Sequence, residues 1–391
     1  MILSSDRRFR RGLVAGTLVL VLTAAVTVCY SQARNNGEHA AKPDPRAFLS
    51  QPLTIGWRYN SDLTLNLTPA FDRDRVYLPL AGGIIVSLKA GDGTLNWRSE
   101  FGGELSASPV ADDRSVYVAS ETGKPASGTR RATGALRALG KEGGVTQWMR
   151  TLAVPLQGSL TLAGGKLFGG GSDGRLYAFD SETGEVRWFF AYSAPFNSRP
   201  VVTAGRVYAG SEDGHLVVLD EQTGKLLWRY RTRGPVRGPA AIQDDIVYFG
   251  SGDNYVYAVN TMSGRLLWRT RTGASVQAVV RAGEDLLVAS LDNYVYKISL
   301  TGKRLWKRQM PGRISAQPLI TQLEALFTPL SSSAGVVLEL RDGRQVNSLP
   351  VGEEITTSAS PIAIGGVVLL TTEHGLLAFS QPREVAPLKT N

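Results

Sequence analysis

Short runs of Val, Ile, Leu and Tyr alternate along this chain with clusters of Gly, Asp, Asn and Ser, while helical runs of Leu, Ala, Glu and Lys are scarce. In RPVVTAGRVYAGSEDGHLVVLDEQTGKLLW, Arg199 to Trp228, the apolar runs predict four strands, around Pro200 to Thr203, Val207 to Gly210, His215 to Asp220 and Lys225 to Arg231. AG, SEDG and EQTG separate them. Gly, Asn or Asp in such places supplies the positive φ that tight hairpins need.

The same order of strands returns at a fixed interval. The seven tryptophans, Trp57, Trp97, Trp148, Trp188, Trp228, Trp268 and Trp306, are spaced by 40, 51, 40, 40, 40 and 38 residues. SLKAGDGTLNW, AFDSETGEVRW, VLDEQTGKLLW and AVNTMSGRLLW each carry glycine four residues before the tryptophan, and a degenerate copy, LELRDGRQVN, keeps Gly343 but has Asn347 in the tryptophan's place. Four antiparallel strands per unit of about 40 residues are the signature of a β-propeller blade.

The phase of the repeat gives a blade count. Units ending at Trp97, Trp148, Trp188, Trp228, Trp268, Trp306 and Asn347 make seven, and three further strands lie between about Thr357 and Phe379. LTIGWRY, Leu53 to Tyr59, has no strands before it and predicts the missing fourth. The expectation is therefore an all-β, eight-bladed propeller of four-stranded blades over residues 51–380, its ring closed by the N-terminal strand, since an unsealed blade would leave sheet edges unpaired.

Eight equivalent tryptophan positions cannot all face one ligand. A large aromatic buried against the neighbouring blade is the expected role, with Asp180, Asp220 and Asn260 bonding the amides of their turns. The GSDG, GSEDG, GSGDN and SLDN stretches have too few acids for a calcium loop and open no helix for phosphate, so they are expected to be hairpin turns. Arg229, Arg231, Arg269, Arg271, Lys307 and Arg308, just after tryptophans, are expected to guard outer edge strands against aggregation.

The N-terminus changes the picture of location. RRFRR, Arg7 to Arg11, precedes GLVAGTLVLVLTAAVTVCY, Gly12 to Tyr30, which contains no charge. As a helix rising about 1.5 Å per residue, the run crosses a hydrocarbon core about 30 Å thick, and the arginines predict export of the chain beyond residue 30. An uncleaved anchor ranks first, cleavage after Ala33 second and lipidation at Cys29 third, because Val28 spoils the lipobox. Residues 31–50 form a polar linker with two prolines and 381–391 a disordered tail, which places the propeller in the periplasm or elsewhere outside the cytoplasmic membrane.

Net charge is +9 and hydrophobic residues make up 43% of the chain, enough for a packed core. Residues 1–46 contain seven Lys and Arg against three Asp and Glu, so the globular part is only mildly basic, and nucleic acid is not an expected partner. Cys29 is the single cysteine, which excludes internal disulfides and thiolate metal sites from the body. His39, His215 and His374 are too scattered for a zinc site, and no Ser/His/Asp triad or catalytic carboxylate pair can be argued; an enzyme is not expected.

AFDSETGEVRW and VLDEQTGKLLW, with GRVYAGSEDG and GRLYAFD before them, resemble the tryptophan-docked repeat of the pyrroloquinoline quinone (PQQ) enzyme-like propellers. The resemblance covers about residues 52 to 380. Within that group the size, blade count and near absence of insertions look like the non-catalytic BamB-type subunits. That likeness implies a periplasmic scaffold, monomeric within a complex, that assists outer-membrane protein assembly by docking on the barrel-assembly machinery. The alternative relatives are quinoprotein dehydrogenases, which would bring PQQ with calcium. Those enzymes use an adjacent cysteine pair that this chain lacks, and the loop signature by which BamB-type subunits contact their partner is not recognisable here.

Functional residues concentrate on loops held by a rigid frame. In a four-strand meander, the connection to the next blade and the second-to-third turn share one face. That face is expected to gather YSAPFN (Tyr192, Pro195, Phe196, Asn197), RTRGPVRG (Arg231, Arg233, Arg237) and the insertion Glu121 to Gly134 with Lys124, Arg130 and Arg131, as a basic and aromatic docking rim for envelope proteins.

Overall fold

A computed structural model describes residues 49–121 and 133–382. The expected anchor segment 12–30, the expected linker up to residue 48, Lys124, Arg130, Arg131 and the expected tail from residue 383 lie outside the described residues. Among those described there are 32 strands and no helix.

The strands form antiparallel meanders of four, chain order matching spatial order. The 199–228 stretch is representative, with strands Val201–Thr203, Arg206–Gly210, His215–Asp220 and Leu226–Arg231. One sheet joins distant parts of the chain: Thr54–Asn60 pairs antiparallel with Gly375–Ser380, the pairs including Trp57 with Ala378 and Tyr59 with Leu376. Six sheets have four strands. The seventh has eight, because Glu104–Ala111 and Leu156–Ala163 add a short parallel contact, Gly158 opposite Ala107 and Ser159 opposite Ser108. Small side chains let these two innermost strands reach sheet spacing of about 4.8 Å.

The core lies between sheets. Val76, Leu78, Val86 and Leu88 pack against Ile362, Leu369 and Leu376, all 6% exposed or less. Each fully buried aliphatic side chain contributes about 1.5–3 kcal/mol.

The outermost strands share one irregularity. Immediately before each tryptophan the register slips by a residue, at Asn96, Gln147, Arg187, Leu227, Leu267 and Leu305, with Gly56 in the same place before Trp57. A β-bulge re-aims the side chain that follows it. Here it carries the indole onto the next sheet. Trp188 Nε1 donates to Glu221 O at 2.9 Å, Trp228 Nε1 to Thr261 O at 2.7 Å and Trp268 Nε1 to Leu300 O at 2.8 Å.

The repeated glycine receives that indole. At Gly224, φ is +67° and a Cβ would stand 2.6 Å from Trp188 Cδ2; Gly264 has the same φ and faces Trp228. The sequence expectation assigned these glycines to hairpin geometry alone, whereas each is also the floor on which the preceding unit's tryptophan rests. Asp180 and Asp220 accept amide hydrogen bonds from Thr183 at 2.9 Å and Thr223 at 2.8 Å, and Asn260 does so from Ser263 at 2.9 Å, as expected.

Asn347 has no glycine turn to meet, because the two strands that such a hairpin would join on the next sheet, Gly375–Ser380 and Thr54–Asn60, are not consecutive in the chain. Its Nδ2 donates instead to Leu49 O at 2.7 Å and Gln51 O at 2.9 Å. Leu49 is fully buried, and the Glu324 carboxylate accepts the Leu49 and Ser50 amides at 2.9 and 3.1 Å.

Candidate docking site

Two of the three expected rim segments are described. Each links the outermost strand of one sheet to the innermost strand of the next, and each sinks one apolar residue into the core. Phe196 is 0% and Val236 1% exposed, and Val276 and Ile314 are buried at the corresponding places of the next two units. Glycine makes the room: a Cβ on Gly210 would lie 2.6 Å from Val236 Cγ1.

Phe196 therefore cannot touch a partner, which corrects the expectation from sequence. It anchors its loop from below, with Tyr192 over it at a ring distance of 5.6 Å and His215 edge-on to Tyr192 at 5.8 Å. The side chain read as a contact is core because its place in the repeat is a core position.

Asn197 and Arg237, from successive connections, meet on Glu212. Arg237 Nε donates to Glu212 Oε1 at 3.0 Å and Nη2 to Oε2 at 2.8 Å, while Asn197 Nδ2 donates to Oε1 at 3.0 Å. The Glu212 amide also donates to Pro195 O at 3.0 Å. The Arg237 guanidinium holds the Glu212 carboxyl below its ordinary value, helped by Asn197 and opposed by burial. Forked guanidinium–carboxylate pairs are the stronger class of such contacts. Sequence reasoning missed Glu212 by reading SEDG as a turn alone. The available signal was a carboxylate where the two neighbouring units have Ser172 and Gly252.

Arg231 and Arg233 are exposed, as is Arg237. The turn between them is fixed by Thr232, whose buried hydroxyl donates to Gly214 O at 2.9 Å or Gly234 O at 2.7 Å. Tyr192, Pro195, Asn197, Arg231, Arg233 and Arg237 thus stand on a braced frame. Lys124, Arg130 and Arg131 fall in the segment that is not described.

Innermost strands such as Glu104–Ala111, Leu156–Ala163 and Ile362–Ile364, with the connections that precede Val201–Thr203 and Ala241–Gln243, line a cavity of about 600 Å³. Asn197, Arg199, Arg237, Gln277 and Ser315 supply polar groups to its wall, and none of the described lining residues is Asp, Glu, His or Cys. Among the described residues, no three His, Cys, Asp or Glu side chains gather as a metal-binding group, and no helix is long and apolar enough to cross a membrane.

Repeated four-stranded sheets, docked through tryptophan and disposed about a central cavity, define a β-propeller. The chain belongs to the family described as outer membrane protein assembly factor BamB, whose profile matches residues 50–130, 132–238 and 232–389. Among solved structures, BamB from Moraxella catarrhalis superposes with a TM-score of 0.70 at 18% identity, covering 86% of this chain and 99% of that one. The computationally designed Ika8 protein gives 0.68 at 16% identity, over 84% and 99%. Quinohemoprotein alcohol dehydrogenase from Comamonas testosteroni gives 0.69 at 12% identity, over 90% of this chain and 80% of that one. A search of curated protein sequences found no match.

Proposed function

We propose that this protein is a non-catalytic scaffold of the bacterial cell envelope that binds envelope proteins through its loop rim and assists outer-membrane protein assembly at the barrel-assembly machinery. It is exported, held at the membrane by residues 12–30 or released by signal cleavage, and works as a single copy within a complex, without a cofactor. Its propeller has eight blades. The pairing of Thr54–Asn60 with Gly375–Ser380 supports a ring sealed by the N-terminal strand.

The observation that carries the reading is the match of the assembly-factor family along the chain. The cavity wall supports the non-catalytic part: calcium takes carboxylate and carbonyl oxygens, and the described lining residues offer no carboxylate to a calcium–PQQ pair. The likeness to a quinohemoprotein dehydrogenase favours a second reading, an oxidoreductase, at the level of fold.

A photo-crosslinking residue at Tyr192 or Pro195 of the full chain, activated in cells, tests the scaffold. The expected result is an adduct with a barrel-assembly component that disappears when Arg231 and Arg233 are both changed to Glu. Arg237 is unsuited to this test because it braces Glu212. Absence of any envelope adduct, together with dye-linked alcohol oxidation after addition of PQQ and calcium, would overturn the reading.

A further inference from the structure

Charge is distributed very unevenly around the propeller. Residues 199–313 hold 17 Lys and Arg against 10 Asp and Glu, whereas the remaining described residues hold 14 against 20. The excess is concentrated on the outermost strands of three successive sheets, Leu226–Arg231, Leu266–Arg271 and Arg304–Gln309. A general guard against edge pairing would be spread over every sheet; this one is not.

Pairing separates the same sector from the rest. On the other outermost strands, Arg58, Arg98 and Arg187 are answered by Glu354, Glu100 and Asp180 at 3.7, 3.4 and 2.6 Å, and Arg150 donates to Gly184 O at 3.0 Å. Arg229, Arg269, Arg271 and Lys307 are exposed and form no salt bridge among the described residues; Arg269 and Lys307 lie over the rings of Tyr255 and Tyr294 instead. The bulge before each tryptophan also turns neighbouring aliphatic residues outward, so that Leu226, Leu227, Leu266, Leu267 and Leu305 are 42 to 51% exposed among these cations. Rows of cations without carboxylate partners, interleaved with leucine and repeated from sheet to sheet, complement a diffuse anionic plane that can admit aliphatic groups. They do not form a discrete carboxylate receptor.

We infer that this basic, leucine-bearing edge docks on an anionic phospholipid surface. The inference goes beyond the scaffold reading and requires no protein partner. Each cation brought near an anionic bilayer strengthens docking about fivefold, and salt weakens it because the screening length falls from about 8 Å at 0.15 M to about 3 Å at 1 M.

Hydrogen exchange on the full chain reconstituted in vesicles tests it. With phosphatidylglycerol present, exchange slows in 226–231, 266–271 and 304–309 but not in 95–100 or 146–152. The protection is absent in pure phosphatidylcholine and lost at 1 M salt. Arg229→Gln and Arg269→Gln together lower the docked-to-free ratio about 25-fold, while unchanged exchange in Tyr255–Asn260 reports an intact fold. Equal exchange in both lipids overturns the inference. So does protection that appears only when an acidic envelope protein is added.

Discussion

Trp188→Ala tests the docking of one sheet on the next. The indole is 8% exposed, stands 5.9 Å from the Phe168 ring, and donates to Glu221 O at 2.9 Å. Burying an aromatic of this kind removes about 150–250 Å² from water, worth about 4–6 kcal/mol at about 25 cal/mol per Å². The Gly224 floor cannot move in to refill the space, because its φ of +67° is fixed by the hairpin. The loss expected on truncation is therefore about 4 kcal/mol, a large share of the 5–15 kcal/mol by which domains are stable. Trp188→Phe keeps most of the apolar contact and forfeits the N–H, so it should cost about 1–2 kcal/mol. Urea unfolding followed by near-ultraviolet circular dichroism measures both. A truncation cost below about 1 kcal/mol, or equal costs for the two variants, would refute the wedge argument.

Gly264→Ala places a Cβ 3.0 Å from the Trp228 ring at φ +67° and should lose at least about 1–2 kcal/mol in the same assay. Asn347→Ala removes both hydrogen bonds to the Leu49–Gln51 segment and should cost about 1–2 kcal/mol, with faster proteolysis near residue 50; no change in either would show that Asn347 does not hold the strap. Burial and its hydrogen bond to Asp292 push the Tyr296 hydroxyl up to about 12, whereas an unfolded tyrosine titrates near 10. Its contribution is fully present below about pH 10 and is lost as pH rises towards about 12, so stability should fall across that window and Tyr296→Phe should flatten the fall. Conversely, hydrogen bonds from Lys141, Tyr77 and the Asp74 amide outweigh burial and hold the Asp72 carboxyl low, so Asp72→Asn should weaken the acid-side loss of stability below about pH 4.

Local pattern was enough for the strands. Period-2 runs bounded by positive-φ residues give His215–Asp220 and its neighbours without any tertiary information, and Asp220 or Asn260 closes a turn whatever packs on it. The tryptophan spacing likewise predicted burial of the indole against a neighbouring sheet. The rim was only partly legible. Arg231 and Arg233 are exposed as expected, but Phe196 is core through the place it holds in the repeat, and Arg237 is half of an ion pair with Glu212, 25 residues earlier in the chain.

Residue order alone sets the strands, the turns, the repeat and the tryptophan wedge, because these depend on backbone sterics and on side-chain spacing within about 40 residues. Packing in three dimensions settles the rest: which glycine lies beneath each indole, how Glu212 ties Asn197 to Arg237, how Asn347 and Glu324 hold Leu49 from about 300 residues away, and that cations without carboxylate partners face out from three consecutive sheets. The reason is physical: a hydrogen bond or an ion pair is settled by distances of about 3 to 4 Å, and only the packing of sheet on sheet brings such distances about between residues so far apart in the chain.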